Sequence, residues 1–119
     1  MKLKKLYCKA LRLKRRIRHP YCAAVIVAAG SATRMRGSGK ILTTICGEPV
    51  LAGSLRAFNA CVLIDEIVVV ARKEELEAVA ALCREYRKVR TVVCGGASRP
   101  ESVAAGISAV SECTELVAV

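Results

Sequence analysis

The chain has 119 residues, 54% of them apolar and only 3% aromatic. That allows one domain at most, with a core of Val, Leu, Ile and Ala, a mix that suits parallel strands covered by helices. The net charge of +10 sits at one end: residues 1–22 carry nine of the 20 basic residues and no acidic one, and residues 23–119 net only +1. The basic character is therefore no sign of a nucleic-acid-binding fold, and no run approaches the ~18 apolar residues of a membrane-spanning helix.

Residues 2–18 read as a basic amphipathic helix, because Leu3, Leu6, Ala10, Leu13 and Ile17 recur at steps of three and four and Lys and Arg fill the other face. Pro20 ends it. Four roles fit: an organelle-targeting leader, a tail for a membrane surface or nucleic acid, a solvated extension, or an upstream start-site artefact. The segment lacks the Ser content of a transit peptide and the apolar region of a secretory signal.

From Ala23 the pattern changes. Residues 23–29 form an apolar run closed by Gly30, as expected of a strand buried on both faces. Residues 30–40 are polar and glycine-bearing, hence loop. Residues 49–60 predict a helix with Pro49 at its first position. Residues 67–70 predict a second strand, and residues 74–86 a helix with acidic residues in its first turn. Residues 89–94 predict a third strand, 95–100 a loop, 101–110 a helix, and 116–119 a fourth strand belonging to the core. This alternation is that of a Rossmann-like α/β three-layer sandwich with a mainly parallel sheet. The expected division is an extension over 1–22 and a nucleotide-binding part over 23–119. A core strand at the very end of the chain suggests that the domain is incomplete.

The seven cysteines, Cys8, Cys22, Cys46, Cys61, Cys83, Cys94 and Cys113, show no CxxC spacing and mostly sit in apolar runs. They read as reduced, buried thiols of a cytoplasmic protein. The one histidine, His19, leaves no clustered zinc ligands.

Two motifs carry chemistry. The first is Ala28-Ala29-Gly30-Ser31-Ala32-Thr33-Arg34-Met35 with Lys40. Ligands of open parallel sheets bind beyond the carboxyl ends of the strands. There, small residues let the backbone approach phosphate, successive N–H groups can cradle an anion, and Arg34 and Lys40 supply positive charge. The spacing is neither a dinucleotide nor a Walker loop. The second motif, Gly95-Gly96-Ala97-Ser98-Arg99-Pro100-Glu101-Ser102-Val103, holds the equivalent place after the third strand. Each alone is also explained as an ordinary turn, the second with Ser98 as a helix N-cap. At corresponding positions of one sheet edge, the two would converge on one crevice.

These residues, with Gly47-x-Pro49 between them, resemble the 2-C-methyl-D-erythritol 4-phosphate cytidylyltransferases of the non-mevalonate isoprenoid pathway, from about Ala23 onward. Ribitol 5-phosphate cytidylyltransferases are close to the pattern but usually carry a second glycine in the first loop. A catalytically inactive nucleotide-binding fragment is the remaining alternative. The resemblance implies that Arg34 and Lys40 stabilise the transition state at the α-phosphate. It implies that Ala28, Ala29, Gly30, Ser31 and Ala32 contact base and triphosphate through their backbone, and that Gly96, Ala97 and Ser102 recognise cytosine and ribose. Arg99 would hold its loop. CTP and methylerythritol phosphate are the implied substrates, Mg²⁺ the implied cofactor, and a homodimer the implied full-length assembly. Gly39 stands where the family usually has proline, and residues 41–45 also depart from it. The HDAARP-like segment whose aspartate binds magnesium in the family would lie beyond Val119, so no metal ligand is expected within these residues.

Overall fold

Four parallel strands carry the structure, a computed structural model that describes Leu6 and residues 19–29, 44–45 and 48–119. Apart from Leu6, the expected helix over residues 2–18 lies outside the described residues, as do the loop residues 30–40. Strand β1 (Cys22–Ala28) is followed by a short antiparallel pair, β2 (Thr44–Ile45) and β3 (Glu48–Pro49), and then by helix α1 (Val50–Ala60). Next come β4 (Glu66–Ala71), a 3₁₀ turn (Lys73–Glu75), α2 (Leu76–Cys83), β5 (Val89–Cys94), α3 (Arg99–Ala109) and β6 (Leu116–Ala118). The sheet order is β5-β4-β1-β6, so β1 lies inside the sheet, between β4 and β6.

Alternation along each strand sorts the apolar residues into two layers. Ala24, Ala28, Ile67, Val69 and Ala71 pack with Leu51 and Leu55 of α1 and with Val79 and Cys83 of α2. Val25, Val68 and Val70 face the other way, toward Ala109 and Val110 at the end of α3. Helices therefore cover both faces, and every residue of β4 is buried, which is why its sequence is apolar without interruption after Glu66. At Gly106 the α3 backbone lies directly on the sheet. A Cβ there would meet Val25 Cγ1 and stand 2.9 Å from Val70 Cγ2. The chain steps outward from β1 to β4 to β5 and then returns past β1 to β6. The order reverses beside β1, where doubly wound sheets place their ligands.

The opposite, amino-terminal end of the sheet is tied by polar side chains. Glu66 is 0% exposed; its carboxylate accepts from the Ser111 N–H at 3.2 Å and from the Thr114 hydroxyl at 3.3 Å. Asp65 Oδ2 accepts the Cys22 N–H at 2.9 Å. Asn59 Oδ1 accepts the Lys88 N–H at 3.1 Å, and Lys88 Nζ donates to the Cys61 carbonyl at 2.7 Å. Tyr21 is buried, and its carbonyl accepts from Glu115 and Leu116 N–H at 2.8 and 3.1 Å. Its phenol is pushed up to about 12, chiefly by burial and then by Glu66 and Cys113 nearby, against an opposing effect of Arg90.

Several expectations change. The first strand begins at Cys22, one residue before the apolar run suggested, because it already pairs there with Leu116. Pro49 closes β3, and α1 starts at Val50, since Pro49 pairs with Thr44 in the short antiparallel ladder. The helix expected over 74–86 is a 3₁₀ turn followed by a helix ending at Cys83. Helix α3 starts at Arg99, one residue after its cap. The fourth strand is not core: all three residues of β6 are exposed, because it pairs only with β1 and forms the edge of the sheet. Among the described cysteines, none of them in a disulfide, Cys83 and Cys113 are buried and Cys94 is exposed; burial pushes the Cys83 thiol up to about 11.

Candidate functional site

The carboxyl ends of β1 and β5 are brought together at a single glycine. Gly95 follows β5, and its N–H donates to the Ala71 carbonyl at 2.9 Å, which extends the sheet bonding one residue past the strand. A Cβ on Gly95 would meet Ala29 Cβ, the first residue after β1. It would also stand 2.7 Å from Ser102 Oγ and 3.2 Å from Val70 Cγ1. Only hydrogen fits there, so the start of the first motif, the second motif and the first turn of α3 meet without a side chain between them.

Of the residues read from the sequence, Ala28 ends β1 and is buried, and Ala29 is half-buried beside Gly95. Gly96 and Ala97 are exposed on the loop after β5, and Ser102 is buried beneath it. The structure thus gathers Ala29, Gly96, Ala97 and Ser102 around Gly95. Gly30, Ser31, Ala32, Arg34 and Lys40 lie outside the described residues.

The second loop is held by the residues that open α3. Ser98 is the N-cap: its hydroxyl accepts the Glu101 N–H at 3.4 Å. Glu101 Oε2 accepts the Ala97 N–H at 2.7 Å, one residue before the cap, a variant of the capping box. Ser102 Oγ accepts the Gly96 N–H at 3.2 Å. Arg99, expected to hold the loop, is exposed; among the described residues the bonds on the loop come from Ser98, Glu101 and Ser102. Sequence inspection had singled out neither the close approach at Gly95 nor Glu101. The Ser-x-x-Glu spacing of a capping box was the signal available for Glu101.

Among the described residues, no group of three or more His, Cys, Asp or Glu is placed to hold a metal ion, and no helix is long and apolar enough to cross a membrane. His19 lies at the opposite end of the sheet, 3.8 Å from Asp65.

The chain is 40% identical over 92 residues to the 2-C-methyl-D-erythritol 4-phosphate cytidylyltransferase of Dehalococcoides mccartyi strain CBDB1, covering 76% of this chain and 40% of the relative. It is 43% identical over 98 residues to the enzyme of that name from Symbiobacterium thermophilum, covering 82% and 41%. The crystal structure of 4-diphosphocytidyl-2C-methyl-D-erythritol synthase from Anaerococcus prevotii superposes with a TM-score of 0.70 at 30% identity, over 82% of this chain and 41% of that one. The chain thus spans about 40% of the length of these relatives. Residues 22–119 match the 2-C-methyl-D-erythritol 4-phosphate cytidylyltransferase family, and the chain belongs to that family.

Proposed function

We propose that this chain supplies the nucleotide-binding part of a CTP-dependent cytidylyltransferase that acts on 2-C-methyl-D-erythritol 4-phosphate. The observation that carries this is the meeting of Ala29, Gly95 and Ser102 at the carboxyl end of the sheet, on the β4 side of β1. It joins the two motifs into one crevice where a nucleotide can lie across both strand ends. In the reaction, a phosphate oxygen of methylerythritol phosphate attacks the α-phosphorus of CTP in line. The bond from that phosphorus to the bridging oxygen breaks, and pyrophosphate leaves. Positioning and charge do the work, since little covalent chemistry falls to the protein.

In this proposal the backbone of residues 28–32 lies along the base and triphosphate, and Arg34 and Lys40 offset charge on the reacting phosphate and the departing pyrophosphate. Gly96, Ala97 and Ser102 face the cytosine and ribose. Mg²⁺ belongs to the proposal as an ion that the triphosphate brings with it, and no step here depends on a protein ligand to it. A homodimer of the full-length enzyme and a cytoplasmic setting complete the proposal.

The test is calorimetric titration of the folded chain with CTP, together with pyrophosphate release in the presence of methylerythritol phosphate. CTP should bind, and Arg34→Ala should weaken binding by roughly tenfold, the effect of one lost charge-assisted contact of about 1.4 kcal/mol. A folded chain that binds no CTP overturns the assignment. Ribitol 5-phosphate as the preferred acceptor would redirect it to the related cytidylyltransferases. CTP binding without pyrophosphate release would mark this chain as a nucleotide-binding module.

A further inference from the structure

Two half-buried cysteines, Cys22 and Cys61, sit at the amino-terminal end of the sheet, away from the nucleotide crevice. Cys22 opens β1 and shares the face of Ala24 and Ala28, which α1 and α2 cover. Cys61 follows α1 directly, and both residues pack against the same cluster of buried side chains. Each backbone is held in place. The Cys22 N–H donates to Asp65 Oδ2 at 2.9 Å, and the Cys22 carbonyl accepts the Asp65 N–H at 2.8 Å. The Cys61 carbonyl accepts the Ile64 N–H at 3.2 Å and a bond from Lys88 Nζ at 2.7 Å. A tight turn over residues 61–64 therefore folds Cys61 back to Ile64, the neighbour of Asp65, to which Cys22 is bonded. The two thiols also act on each other: burial pushes the Cys22 thiol up, Cys61 adds to this, and a backbone hydrogen bond at Ala118 opposes it.

We propose that Cys22 and Cys61 form an oxidation-sensitive pair, which a peroxide converts into a disulfide tying the start of β1 to the end of α1. One sulfur takes an oxygen from the peroxide, the O–O bond breaks, and the first water leaves with that thiol's proton. The second sulfur then displaces the sulfenic hydroxyl, which departs with the second proton as another water. Two thiols are oxidised to one S–S bond, and one peroxide is reduced to two waters. The other described cysteines are placed differently: Cys83 and Cys113 are buried out of reach of the oxidant, and Cys94 is at the carboxyl end of β5. The loop closed by the bond, residues 22–61, contains the whole first motif from Ala28 to Lys40. The tie restrains that segment in the unfolded chain and so stabilises the fold.

The test treats the full chain with hydrogen peroxide, alkylates the remaining thiols and digests with trypsin without reduction. The dominant linked species should join residues 19–34 to residues 57–72, each of which holds one cysteine, and dithiothreitol should release it. The oxidised chain should melt about 5–15 °C higher, the scale of a crosslink closing a loop of this length. Cys22→Ser and Cys61→Ser should each lose the linked species and gain nothing from peroxide. The mapping on the unmodified chain stands whether or not these variants fold well. Links from either cysteine to a different one, or both thiols still open to alkylation after peroxide, overturn the proposal. So does a linked chain that melts no higher, or a gain in melting temperature that persists in Cys61→Ser.

Discussion

The two ends of this sheet are built from opposite materials. At the amino-terminal end, side chains from distant parts of the chain do the tying: Glu66 holds Ser111 and Thr114, Asp65 holds Cys22, and Asn59 holds Lys88. At the carboxyl end, the contacts are between backbone and very small groups, with Gly95 pressed on Ala29 and Ser102. The first end uses buried charge and long-range bonds, which stabilise a fold but leave no room for a ligand. The second leaves out side chains, so that a nucleotide can approach the main chain. Stability and binding are thereby placed at opposite ends of the same strands, and each can be perturbed alone.

The largest effect is expected at the tying end. Glu66→Ala leaves the Ser111 N–H and Thr114 hydroxyl without their buried acceptor and should lower the unfolding free energy by about 3 kcal/mol. Denaturant titration measures this, and CTP affinity of the folded protein should be unchanged. A Glu66→Ala protein of full stability, or one with impaired CTP binding, would break the comparison. Next comes Gly95→Ala at the binding end. The added methyl has no space between Ala29 and Ser102, so stability should fall by about 1–3 kcal/mol. CTP affinity should fall by roughly tenfold or more, because both loops are displaced. Intact CTP binding in this variant would show that the crevice does not lie where the loops meet.

The smallest effect is a pH dependence. Cys83 and Tyr21 both have folded-state values raised by burial, to about 11 and about 12. A raised value means that the folded chain keeps its proton where the unfolded chain loses it. The associated stability is complete below about pH 9 and is lost as pH climbs through the folded values. Chemical denaturation between pH 8 and 12 should show this decline, and Cys83→Ala should flatten its lower part. A flat profile would place these groups in contact with water.

The strands were legible in the sequence because burial on both faces writes an uninterrupted apolar run, as in residues 23–29 and 67–70. The second loop was legible through its place, since a glycine pair after a strand and before a helix stands where the first motif stands after its own strand. The short β2–β3 pair was not, because two residues per strand carry no period and Pro49 fits a helix start equally well. Glu66 falls outside the apolar run of residues 67–70, yet it is inside β4 and fully buried. Its partners lie 45 and 48 residues away, and no local pattern announces a bond of that span. β6 looked like core because Leu116, Val117 and Val119 are apolar, but apolar character does not say whether a strand is covered or stands at an edge.

The close seat of α3 at Gly106 has a consequence for the loop at the front of that helix. With no side chain between the helix backbone and Val25 and Val70, there is no soft layer to let α3 slide or tilt over the sheet. The helix is thereby seated against the strands, and its first turn is held in addition by the bonds of Ser98, Glu101 and Ser102. The conformational entropy of Gly95, Gly96 and Ala97 is surrendered when the domain folds, and little is left to surrender when a nucleotide arrives.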